Sequence, residues 1–179
     1  MKAAPLLRRL LLALAVFMAP FVAVALLLPP TLYFYGLSSV SLPPHRTHLA
    51  SLTDQRCAWA SVERTNDFSV QSMTPWTPFY RLLSGQSPSV RAPGETAAGV
   101  VALDYVYTHA PRMPNLKWHI TTAAVHVWLS RHATAPELAT QLVPLVAQTP
   151  KARRHSDCDL TPNPSFQRTV PGHSPGHRR

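Results

Sequence analysis

Residues 10–28 read Leu-Leu-Leu-Ala-Leu-Ala-Val-Phe-Met-Ala-Pro-Phe-Val-Ala-Val-Ala-Leu-Leu-Leu, with no charged side chain. A run like this has few ways to fold. As a helix rising about 1.5 Å per residue it is roughly 28 Å long, close to the hydrocarbon thickness of a bilayer, about 30 Å. Pro20 would break a soluble helix, but membrane spans tolerate proline. Tyr33, Phe34 and Tyr35 come next at the far end, where amphipathic rings favour the membrane–water interface. The expectation is a transmembrane anchor over 10–28, with the lipid bilayer as its partner.

Charge orients the anchor. Lys2, Arg8 and Arg9 precede the run, and no Lys or Arg appears after it until Arg46. Positive flanks stay inside the cell. Residues 1–9 are therefore expected in the cytoplasm of a bacterium, and everything after the span on the periplasmic face of its inner membrane. A cleaved signal peptide is the alternative. Ala23-Val24-Ala25 fits a small-residue cleavage site, and Gly36-Leu37-Ser38 is a second. A cut at the first would fall inside the apolar run. The run is also longer than the usual signal core of about 7 to 15 residues.

Proline shapes the rest of the chain. There are 19 prolines in 179 residues and only 6 glycines, and each proline removes a backbone donor. Pro29-Pro30 and Pro43-Pro44 bracket a spacer over 29–44. An exported domain is expected over 45–148, and after it a disordered Pro/Arg-rich tail over 149–179. The +9 net charge does not describe that domain. Much of it sits before the span and, as Lys151, Arg153, Arg154, Arg168, Arg178 and Arg179, in the tail. Nucleic-acid binding needs a basic patch with interleaved aromatics on a folded surface; the domain sequence offers none, and no nucleic-acid partner is expected.

Periodicity makes the domain all-α, with three or four helices. Leu49, Leu52, Ala58, Trp59 and Val62 recur at helical spacing. Residues 65–94 read as irregular, with Trp76, Phe79 and Tyr80 tucked into the core. A second helix starts at Glu95, with Ala98, Val101, Tyr105 and Thr108 on one stripe, and Pro111 and Pro114 stop it. The strongest helix covers 115–132. Asn115 is its expected cap, and Ile120, Ala123, Ala124, Val127 and Trp128 form its core stripe. Thr134 with Glu137 is a capping-box signature for a last helix, whose apolar face would be Leu138, Leu142 and Leu145. Pro144 would limit or kink it.

Chemistry-bearing patterns are sparse. Glu63 and Asp67 stand four apart, on one face if the helix reaches that far. Paired carboxylates can divide acid and base roles, and a solvated helix end accounts for the same spacing. His119 and His126 lie about 10 Å apart along a helix, too far to share one zinc. The chain lacks a phosphate-binding loop, a dinucleotide fingerprint, a nucleophile elbow and a Cys-x-x-Cys pair. No cofactor and no metal are expected. Cys57 and Cys158 are far apart in sequence and are expected as two unpaired thiols.

Residues 118–138, Trp-His-Ile-Thr-Thr-Ala-Ala-Val-His-Val-Trp-Leu-Ser-Arg-His-Ala-Thr-Ala-Pro-Glu-Leu, resemble a helix of peptidoglycan glycosyltransferases, the domain found in bifunctional penicillin-binding proteins. Leu129, Arg131, His132, Thr134, Glu137 and Leu138 fit that helix's ending. The resemblance adds Arg131 to Glu63 and Asp67 as a candidate catalytic residue. The family's second conserved glutamate would fall near Thr121 or Thr122, and its Glu-Asp-x-x-Phe loop has no counterpart here. The resemblance thus implies a shortened, non-catalytic relative. The expected function is a membrane-anchored, non-enzymatic envelope protein, an accessory partner of cell-wall synthesis proteins. The alternative is a peptidoglycan glycosyltransferase with an altered catalytic set.

Overall fold

A computed structural model of the chain describes residues 3–45, 48–63, 65, 67–84 and 91–148. Among them the fold is all-helical: α1 Ala3–Leu37, α2 Leu52–Glu63, α3 Thr77–Ser84, α4 Glu95–His109, α5 Asn115–His132 and α6 Ala135–Ala147. The tail expected over 149–179, including Cys158, lies outside the described residues.

Helix α1 is longer than the apolar run. It continues through Pro20, Pro29 and Pro30 for 35 residues, so most of the spacer expected over 29–44 is helix. Pro29 and Pro30 supply no N–H to the turn before them. In that stretch the Thr31 hydroxyl donates to the Leu27 carbonyl at 2.7 Å. Packing then holds the end: Tyr33 is buried against Ala124 and Val127 of α5. Gly36 comes so close to α5 that a Cβ there would stand 2.6 Å from the Ala124 Cβ and 2.9 Å from the Ile120 carbonyl oxygen. The stretch Leu12–Leu37 is long and apolar enough to cross a membrane. Its side chains from Leu12 to Leu28 point outward, Phe17 and Leu27 being about two-thirds exposed at 65% and 64%. A membrane anchor and a signal sequence both have these properties.

The domain core lies between α2, α4, α5 and α6. Trp59 of α2, Val101 and Val106 of α4, Val125 and Leu129 of α5, and Leu138 and Leu142 of α6 meet in one cluster. Ala97, Ala98 and Ala102 keep the buried face of α4 thin, which lets its neighbours approach closely. Trp59 also satisfies its ring N–H, donating to the Asp67 carbonyl at 2.8 Å.

Helix α5 has two buried faces. Ala124 and Val127 turn to α1; Thr121, Val125 and Leu129 turn the other way. The single stripe expected from sequence therefore holds only in part. Ile120, Ala123 and Trp128 are half-buried, and Pro114 occupies the cap position in place of Asn115.

Other expectations also change. Leu49 and Leu52 are exposed, as is Thr108, while Tyr105 is half-buried. The segment 65–94 contains α3, and its Trp76 and Tyr80 are exposed, not tucked in. Pro144 lies inside α6 without ending it. The capping box is present: the Thr134 backbone N–H donates to Glu137 Oε2 at 2.7 Å. Leu138 and Leu142 are fully buried, whereas Leu145 is half-buried. Cys57 is disulfide-bonded, and among the described residues no cysteine is free. That overturns the expectation of two unpaired thiols. Sequence separation is a poor guide here because it does not measure distance in the fold.

Candidate functional site

The carboxylates singled out by spacing do not form a pair on one helix. Helix α2 ends at Glu63, and Asp67 lies beyond it, exposed. Glu63 instead reaches the start of α4, where its Oε1 accepts from the Ala97 backbone N–H at 2.6 Å. The first N–H groups of a helix lack intrahelical partners and carry partial positive charge, so a carboxylate satisfies them. Two effects compete at Glu63. Burial raises its pKa, and the backbone donors of α4 lower it; burial wins, and the pKa sits above the ordinary carboxylate value.

Glu95, the first residue of α4, is buried and forms an ion pair with Arg81 of α3. Its other oxygen accepts from the Ala92 backbone N–H at 3.0 Å. His126 of α5 approaches the same turn, its Nε2 donating to the Glu95 carbonyl at 2.8 Å as the neutral tautomer. Burial pushes the His126 pKa below the ordinary value. The cluster thus joins α2, α3, α4 and α5 at one end of α4. Every polar atom named in it has a partner within the protein, so it reads as a structural junction.

Arg131, the third candidate, is exposed on the last turn of α5. Two neighbours from the same resembling stretch have a local task. Thr134 and Glu137 cap α6, and Glu137 also meets His45 Nδ1 at 3.2 Å. The Thr134 backbone N–H is the foremost reason that the Glu137 pKa falls below its ordinary value. His119 is exposed at one face of α5, while His126 is turned toward Glu95. Among the described residues no group of three or more His, Cys, Asp or Glu is arranged to hold a metal ion.

One concave feature with a ligand-sized interior is apolar. A pocket of about 300 Å³ lies between the end of α1, the start of α3 and the first turns of α5. Pro29, Leu32 and Tyr33 form one wall, and Pro75, Pro78 and Phe79 a second. The floor is α5, from Leu116 through Ile120 and Ala123 to Val127, and His119 is the one ionisable side chain in the lining besides Tyr33. Small-molecule sites run from about 300 to 1,000 Å³ and are mostly apolar with few polar groups.

Sequence reasoning missed this pocket. Its second wall depends on α3, in a segment read as irregular. A signal was present: Thr77-Pro78 is a usable helix start, because the missing proline N–H costs nothing in a first turn. The Thr74 backbone N–H donates to Thr77 Oγ1 at 3.1 Å just before it. Compared with known protein families, characterised proteins and solved structures, the chain matches none.

Proposed function

We propose that this chain is a single-pass protein of the bacterial inner membrane, with its N-terminus in the cytoplasm and its helical domain on the periplasmic face. It acts by binding, as an accessory of cell-wall synthesis proteins, and not as a catalyst. The observation that carries this proposal is the seam between α1 and α5. A cut after Ser38 would remove Tyr33 and Gly36 and uncover Ala124 and Val127, which those residues bury. The seam thus speaks against a cut at that site, and a cut after Ala25 would fall inside the apolar run; together they support a retained anchor.

Two further observations support the same picture. The bond at Cys57 suits an oxidising compartment outside the cytoplasm. Of the candidate acids, Glu63 is engaged with the start of α4, and Glu137, in the resembling stretch, is likewise engaged with the start of α6. A carboxylate that completes a helix end is a structural group first.

The test combines topology and activity. A reporter active only outside the cytoplasm, fused after Gln148, is expected to be active; a reporter that works only in the cytoplasm, active at the same junction, overturns the orientation. The purified full chain is expected not to polymerise lipid-linked glycan. Polymerisation that vanishes in Arg131→Ala while the melting temperature holds would establish the other class, a glycosyltransferase with an altered catalytic set.

A further inference from the structure

We infer that the pocket between α1, α3 and α5 takes one acyl chain of a phospholipid from the surrounding bilayer. The inference rests on α1 being a membrane anchor, and its experimental test separates the two claims.

The first ground is continuity. The wall formed by Pro29, Leu32 and Tyr33 belongs to the same helix whose side chains from Leu12 to Leu28 face outward. A helix from Leu10 to Pro29 is roughly 30 Å long, the thickness of the hydrocarbon layer. The pocket wall therefore begins where acyl chains give way to headgroups, and a lipid reaches it without leaving the membrane.

The second ground is the surface around it. Leu116, in the pocket lining, is 74% exposed. Trp76 and Tyr80 flank the lining residues Pro75, Pro78 and Phe79 and are 44% and 61% exposed. Exposed Trp and Tyr are the residues that settle at a membrane interface, and a short amphipathic helix such as α3 can lie in that plane. Nearby, the Lys117 ammonium lies 5.7 Å from the Tyr35 ring centroid, a cation placed at the level where phosphates sit.

The third ground is the shape and chemistry of the interior. A site of about 300 Å³ lined almost wholly by carbon has no set of donors for a polar ligand. Water gains little there, because it needs two to four polar partners. A hydrocarbon chain needs none.

The experiment places the full chain in bilayer discs of phosphatidylethanolamine and phosphatidylglycerol with a trace of phospholipid bearing a photoreactive diazirine on its acyl chain. After irradiation, labelled peptides are identified by mass. Label is expected on α1 around Phe17 and Phe21, and also on pocket residues Phe79 and Ala123. Ala123→Phe is expected to lower the pocket label about tenfold, the change that comes from excluding about two methylene groups from apolar contact, with the α1 label unchanged. Leu116→Asp, at an exposed position, is expected to lower it too and guards against a folding defect in the first variant. Label on α1 with none in the pocket overturns the inference and leaves the anchor standing. Absence of label on α1 overturns the anchor itself. Pocket residues that cross-link to a second copy of the chain, in place of lipid, also overturn the inference.

Discussion

The seam between α1 and α5 can be tested by adding one methyl group. Gly36→Ala places a Cβ 2.6 Å from that of Ala124 and 2.9 Å from the Ile120 carbonyl oxygen. Non-bonded carbons settle at about 3.5–4.0 Å, so the helices must part by roughly 1 Å. Overpacking of this kind costs about 1–3 kcal/mol. Alanine is the better helix former by up to about 1 kcal/mol, which offsets part of the loss. The net effect is a destabilisation of about 0–3 kcal/mol.

Gly99→Ala is the matched control. The atoms nearest its added Cβ would be those of the His126 ring, at 3.3 Å to Cε1, a side chain that can give by a few tenths of an ångström. The propensity gain should dominate there, and the variant should be neutral or more stable by up to about 1 kcal/mol. The assay is thermal unfolding of the full chain in detergent, monitored by tryptophan fluorescence. At about 4 °C per kcal/mol, Gly36→Ala should melt several degrees below Gly99→Ala. If Gly36→Ala melts at or above Gly99→Ala, α1 does not pack on α5 as described, and the case for a retained anchor loses its main support.

Trp59→Ala, which removes a fully buried ring, should cost about 3–5 kcal/mol. Trp128→Ala, at a half-buried ring bridging the two clusters, should cost on the order of 1–2 kcal/mol because part of its surface is already wet; urea denaturation of both variants checks the order. Burial lowers the His126 pKa below 6.5, so the unfolded chain takes up the proton first. Its contribution to stability is full above that value and is lost as pH falls through it toward the folded pKa. Denaturation midpoints measured across that range should show the slope, and His126→Gln should flatten it. Finally, Cys57→Ser or reduction should destabilise the domain by about 2–5 kcal/mol, and thiol-specific labelling of Cys57 should require a reductant.

Signals that act within a turn or two were legible in the sequence. The uncharged run at 10–28 can only be helical where no water satisfies its backbone, and α1 covers it. Glu95 opens α4, and α5 spans Asn115–His132, as their periodicity indicates. Thr134 and Glu137 form their box because both partners lie within one turn. Longer-range features were settled by tertiary contact. Pro29-Pro30 reads locally as a stop, yet α1 passes through it because Tyr33 and Gly36 find α5. One apolar stripe on α5 was legible, but not that the helix would be covered on two sides, which depends on α1 returning to the domain. Glu63 looked toward Asp67 by spacing and found Ala97 in space. The pocket has walls from three helices far apart in the chain. Periodicity within one segment cannot register it, because the space exists only once those helices are packed.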